Sequence, residues 1–251
     1  MHAIGITESG KEIRFDAVNS RISCGREDRI VSLKLFDCEE LLQLDCDGNK
    51  LTELDLSNCW NLRELNFCAN KLSALDLSNC IKLEHLRCSS NQLVSLEVTN
   101  CVELLNLNCH CNNLTSLKVS NCESLKELDC GNNQIDSLNL TNCKNLEKLW
   151  CNRNQLTTLN LECFKELVRC NCSENKLTEL ILSDNENLIW LDCWNNELKY
   201  LDLSKCKKLK ELNCEGNKLT ELDITKCKKL KLEDLKCDEN VKIIKMNEEK
   251  K

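Results

Sequence analysis

Leucines fall along this chain at a fixed beat: Leu41, Leu44, Leu51, Leu54 and Leu56 are followed, 21 residues on, by Leu62, Leu65, Leu72, Leu75 and Leu77. The full frame reads Leu-x-x-Leu-x-Cys-x-x-Asn-x-Leu-x-x-Leu-x-Leu-Ser-x-Cys-x-x. Around Leu44-Asp45-Cys46 and its equivalents apolar and polar positions alternate, the period of a strand with one buried face. The three-residue steps from Leu41 to Leu44 and from Cys46 to Asn49 break that period and mark corners. A coil of 21 residues has no room for a helix of several turns beside a strand and two corners. Its second half, Leu-Thr-x-Leu-Asp-Leu-Ser, is therefore expected to form a short second strand or a single helical turn. One coil cannot bury its own leucines, so the pattern predicts coils stacked into a solenoid, each covered by its neighbours.

Asparagine keeps the register. Asn49, Asn70, Asn91, Asn112, Asn133, Asn154, Asn175, Asn196 and Asn217 follow one another without insertion or deletion. At an inward corner the backbone has lost its strand partners and is shielded from water, so its polar groups need another partner. A carboxamide offers both a donor and an acceptor and can satisfy the coil on either side. This column is read as a structural ladder with no chemistry. Asp28 takes the equivalent place at the upstream end, where Ile30, Leu33, Leu35 and Cys38 form half a coil. Downstream, two extra residues precede Leu232, Leu235, Cys237 and Asn240, and the pattern then dissolves into Val241-Lys242-Ile243-Ile244. The expected organisation is a capping hairpin and partial first coil over 1–29, a solenoid of about ten coils over 30–240, and a C-terminal cap over 241–251 with a frayed, charged tail from Lys245.

The segment Leu62-x-x-Leu65-x-Phe67-x-x-Asn70-x-Leu72 and its sisters resemble the leucine-rich repeat, and the second half is similar to the short bacterial, internalin-like form. The resemblance covers about residues 30 to 245. It implies a parallel β-sheet on the concave face of a β-rich solenoid, short strands or single helical turns on the convex face, and partner recognition on the sheet. The departures are cysteine at most of the usual third-leucine positions and the complete absence of proline.

Most of the 22 cysteines fall in two columns. Cys46, Cys88, Cys109, Cys130, Cys151, Cys172, Cys193, Cys214 and Cys237 share one with Phe67, so that column needs an apolar filler. Cys38, Cys59, Cys80, Cys101, Cys122, Cys143, Cys206 and Cys227 share the other with Phe164 and Asn185. Free cysteine packs as a small, soft hydrophobe. Stacked strands also hold Cβ atoms wider apart than the roughly 3.8 Å of a disulfide. Free core thiols imply a reducing compartment, hence a cytoplasmic protein, or one acting in a host cytosol if it is exported. Cys24, Cys68, Cys111, Cys163 and Cys170 lie off the columns; Cys163 and Cys170 are expected to be buried. Cys109-His110-Cys111 imitates a metal motif, but alternation turns Cys109 inward and His110 outward. No metal and no cofactor are expected.

A net charge of −7 and an acidic strand face disfavour nucleic acid, because phosphate neutralisation needs clustered Lys and Arg. The lysine runs Lys205–Lys210 and Lys226–Lys231 read as solvated edges. No stretch has the length and apolarity of a signal peptide or membrane span. Phosphate loops, Gly-x-Ser-x-Gly and paired-histidine motifs are missing, and the carboxylates sit at outward positions of a repeat, so no enzyme is expected.

Function then lies in what varies between coils. Outward positions on the first strands are mostly polar, yet three of the four tryptophans, Trp150, Trp190 and Trp194, occupy them within three adjacent coils. Arg153, Arg169, Asn171 and Lys148 accompany the rings. Tryptophan and arginine dominate binding energy at interfaces, so this aromatic and basic island is the candidate site for a protein or peptide partner on a monomeric scaffold. Trp60 is assigned to packing in a back-side loop.

Overall fold

The structure, a computed structural model, describes residues 1–245. The expected fraying of the tail from Lys245 concerns residues 246–251, which lie outside the described residues. The backbone divides into two compact units, Met1–Gln134 with Asn139–Cys143, and Ile135–Leu138 with Lys144–Lys251.

In the first unit the strands Arg21–Ser23, Gln43–Asp45, Glu64–Asn66, His85–Arg87, Asn106–Asn108 and Glu127–Asp129 lie side by side in chain order, all parallel. Their middle residues, Ile22, Leu44, Leu65, Leu86, Leu107 and Leu128, are in register and buried. The second unit repeats this with Lys148–Trp150, Arg169–Asn171, Trp190–Asp192, Glu211–Asn213 and Leu235–Lys236. Each unit is thus a parallel-strand solenoid. The second halves of the coils carry short strands in places, Ser95–Glu97 with Ser116–Lys118, Thr158–Asn160 with Glu179–Ile181, and Glu221–Asp223 with Lys242–Ile244. Among the described residues the only helices are single 3-10 turns, Arg26–Asp28 and Leu232–Asp234. None is long and apolar enough to cross a membrane.

At the N-terminal end the hairpin His2–Thr7/Glu12–Asp16 lies antiparallel along Ile30–Phe36, the second half of the first coil. At the C-terminal end the register differs from the sequence reading. Leu230, not Leu232, continues the core row, and Leu232 is 53% exposed. The two extra residues are taken up after Leu230 by the Leu232–Asp234 turn, which returns Leu235 to pairing with Leu212.

The asparagine column closes one corner of every coil. Asn70 donates to the carbonyls of Phe67 and Cys68 in its own coil and of Cys46 in the preceding one, while its oxygen accepts the Leu51 N–H. Asn91, Asn112, Asn133, Asn175, Asn196 and Asn217 repeat these bonds. Each carboxamide therefore ties its own coil to the coil before it. The preceding residue is left-handed in every coil, from Gly48 at φ +67° through Arg153 at +54° to Gly216 at +67°. That strain was announced in the sequence only by Gly48, Asn132, Asn195 and Gly216.

All 22 cysteines are free thiols, and 18 of them are buried. Two depart from expectation. Cys24 is buried and heads the first column, its N–H bonded to the Asp45 carbonyl as that of Cys46 is to Asn66. Cys163, expected in the interior, is exposed: its left-handed φ of +72° turns the side chain outward, and Phe164 takes the core place.

Candidate functional site

The island lies wholly in the second unit, on the outer face of its parallel strands. Strand register sets it out in rows. Lys148, Arg169, Trp190 and Glu211 occupy adjacent places in one row, and Trp150, Asn171, Asp192 and Asn213 in the next. Leu149, Cys170, Leu191 and Leu212 between these rows point into the core. Alternation within three-residue strands is thus what lifts Trp150 and Trp190 out of the interior, and Trp194 follows two residues past the end of the Trp190–Asp192 strand. Trp194 is 38% exposed, and Trp150 and Trp190 are half-buried. Two strand spacings, about 10 Å, separate the Trp150 strand from the Trp190 strand.

The polar residues divide by how far they are already engaged. Arg169 is exposed and, among the described residues, makes no ion pair. Arg153 sits on the corner row, where its Nε donates to Glu174 at 2.7 Å, and the Glu174 N–H in turn bonds the Trp194 carbonyl. Lys148 is half-buried. The Asn171 oxygen accepts both the N–H and the hydroxyl of Ser173, at 3.0 and 2.7 Å, so its acceptor side is already engaged within its own coil.

Asn171 belongs to a second ladder, which the sequence reading treated as variable surface. Asp45, Asn66, Asn108, Asp129, Asn171, Asp192 and Asn213 each accept the N–H two residues on. These side chains fix the strand exit as Asx turns. The recurrence of Asn and Asp at this place was its signal. Arg87 and Trp150 are the two breaks in the series, so Trp150 stands where other coils hold a turn-forming side chain. At Asp192 burial raises the carboxyl pKa, an effect partly offset by the bond from the Trp194 N–H.

Elsewhere the geometry separates residues that the sequence sets side by side. His110 turns toward Asp129, 3.3 Å away, whereas Cys109 is buried in the core column. Trp60, assigned to packing, is instead 49% exposed, with its indole N–H bonded to the Ser57 carbonyl at 3.0 Å.

Stacked parallel coils with an asparagine corner and a cysteine-filled core define a repeat solenoid whose exposed strand face carries the variation. A family profile described as Leucine Rich repeats (2 copies) matches residues 123–163 and 186–237. No curated protein matches the chain. Among solved structures it is similar to the functional domain of InlJ from Listeria monocytogenes, described as including a cysteine ladder, at 30% identity and a TM-score of 0.75, covering 89% of this chain and 53% of that one. It is also similar to YopM, a leucine-rich effector protein from Yersinia pestis, at 30% identity and a TM-score of 0.63, covering 74% of this chain and 55% of that one. A third likeness, at 27% identity and a TM-score of 0.62, is to TLR13 in a complex with ssRNA13, over 77% of this chain and 32% of that one. The chain spans about half the length of the first two. Its solenoid of 21-residue coils fits a leucine-rich repeat of the bacterial type.

Proposed function

We propose that this protein is a non-catalytic scaffold that binds a protein or peptide segment on the strand face, centred on Trp150, Trp190 and Trp194. The observation that carries the reading is the unpaired Arg169 guanidinium lying in register between Lys148 and Trp190, with incompletely covered rings on the strands to either side. Indole rings offer large contact area at low entropic cost, and a guanidinium without a partner orients a carboxylate. The fitting ligand is an extended or helical segment with an apolar anchor and an acidic group. Arg153, already neutralised by Glu174, supports the edge of the site rather than charging it.

Free thiols favour a reducing compartment, the cell's own cytoplasm or, if the protein is exported, a host cytosol. The likeness to a receptor bound to single-stranded RNA raises a nucleic-acid reading, against which stands the net charge of −7.

The test is affinity capture from cytosolic lysate under reducing conditions, followed by calorimetry with the captured partner. Each tryptophan changed to alanine is expected to weaken binding by about 2 kcal/mol while the protein stays folded. Undiminished capture by the triple variant, or salt-sensitive retention of single-stranded RNA in place of protein, refutes the proposal.

A further inference from the structure

Behind the strand face, one residue after each cysteine of the second column, every coil exposes a side chain at the same corner. In the first unit this row reads Glu39, Trp60, Ile81, Val102 and Glu123. The equivalent places in the second unit hold Lys144, Lys165, Glu186, Lys207 and Lys228, all exposed. Three consecutive coils therefore carry an apolar side chain where every other coil carries a charge. The exposures are 49%, 52% and 53% for Trp60, Ile81 and Val102, so the stripe is not covered by the fold. The corner itself is rigid. Trp60 is held by its bond to the Ser57 carbonyl, and neighbouring coils are tied beside the stripe by Asn61 to the Glu39 carbonyl and Asn79 to the Ser57 carbonyl. Contiguous exposed apolar residues rimmed by charge mark interaction surfaces.

We propose that this stripe docks an amphipathic α-helix with basic ends, lying along the stack. Spacing selects a helix. Adjacent coils repeat at about 4.8 Å, so the step from Trp60 to Val102 spans about 10 Å. Two helical turns rise about 11 Å, whereas two same-face steps of an extended strand cover about 13 Å. One turn per coil keeps an i, i+4, i+7 face over Trp60, Ile81 and Val102 in turn. Charge sets the ends: Glu39 and Glu123 close the stripe, with Glu40 and Glu103 exposed beside it. The cation on that side, Lys82, is bonded to the Asn61 side chain. Five coils make a footprint of about 19 Å, the length of about 13 helical residues. A second copy of this chain is not the occupant, because its described residues contain no α-helix to offer.

The probe is a synthetic 14-residue peptide, a length of about four helical turns, with leucines on one face and lysines at both ends, titrated into the full chain by fluorescence anisotropy. The patch is small, so an affinity in the range of about 10 to 100 μM is expected. Changing Trp60, Ile81 and Val102 together to serine should weaken binding at least tenfold. Glu39→Lys with Glu123→Lys, two exposed changes that leave the core intact, should weaken it several-fold. An aspartate-ended peptide should not bind. Equal binding by the triple variant overturns the proposal, as does equal binding of a proline-interrupted peptide that cannot form a helix. Self-association of the chain alone that the triple change abolishes also overturns it, since the stripe would then be an interface between copies.

Discussion

The side-chain amide of Asn185 lies 3.0 Å from the carbonyl oxygen of Leu161, the bond that Cys122 makes with its thiol to Val98 and Cys143 to Val119 in other coils. A second bond runs from the same amide to the Phe164 carbonyl at 2.9 Å. The cost is on the other atom. Asn185 is fully buried, and its oxygen has no hydrogen-bond partner among the described residues. Restoring the column with Asn185→Cys removes that orphaned acceptor and keeps a donor for Leu161. The expected gain is about 1 kcal/mol, read as a higher urea midpoint at unchanged slope. A lower midpoint would mean that the two amide bonds outweigh the unpaired oxygen.

The ladder asparagines carry more than their own coil. Asn112→Ala leaves the buried Leu93 N–H without its acceptor and takes one of two carboxamide donors from the carbonyls of Cys88 and Cys109, which keep Asn91 and Asn133 respectively. A loss of about 3 kcal/mol is expected from several unmade buried bonds. Asn112→Asp keeps the acceptor for Leu93 but sets a carboxylate against two carbonyl oxygens, so it should destabilise at neutral pH and recover as acid protonates it. Chemical denaturation at pH 7 and pH 4 distinguishes the two variants.

Thiol ionisation gives the fold an alkaline limit. Burial raises Cys59, Cys80, Cys122 and Cys206 to about 12 and Cys101 and Cys227 to about 11, from an ordinary value of 9.0. Below pH 9 both folded and unfolded chains keep these thiols protonated, and the full stability is present. Between 9 and 11–12 the unfolded chain loses its protons first, so stability falls as pH rises. A thiol raised from about 9 to about 12 contributes a loss of roughly 2 kcal/mol by pH 10.5. The melting temperature should drop steeply above pH 9, and in the native protein at pH 8 a thiol reagent should find only Cys68, Cys111, Cys163 and Cys237, the four that are not buried. Rapid reaction of most of the 22 thiols before unfolding would contradict this packing.

Asp192 separates turn geometry from charge at the tryptophan site. Its oxygen accepts the Trp194 N–H, a bond that Asn171 and Asn213 make in adjacent coils with a neutral carboxamide. Since burial raises the Asp192 pKa, Asp192→Asn should keep the turn and leave stability unchanged or higher by less than about 1 kcal/mol. Asp192→Ala, which loses the turn bond, should cost about 1 kcal/mol. Thermal melts of the two variants check the order.

The sequence by itself determined the coil. A period without insertions fixes strand register, alternation fixes which leucines and cysteines face inward, and a carboxamide repeated at a dry corner can only be a bridge, because each is a local constraint that every coil repeats. It also marked Trp150, Trp190 and Trp194 as outward, since direction in a strand depends only on parity. What it left open depends on neighbours 21 residues away or on local backbone twist. Arg153 and Arg169 look alike along the chain, yet only the stacked coil brings Glu174 to one of them. Cys163 and Phe164 compete for one core place, and the left-handed turn awards it to the ring. The Asx turns were marked only by the recurrence of Asn and Asp, because a single outward asparagine that fixes its own strand exit reads the same as one awaiting a ligand. Trp60 gained meaning only when stacking set Ile81 and Val102 beside it. Repetition makes backbone and core legible residue by residue, whereas pairing and exposure on the surface are properties of adjacent coils together, and only the tertiary structure decides them.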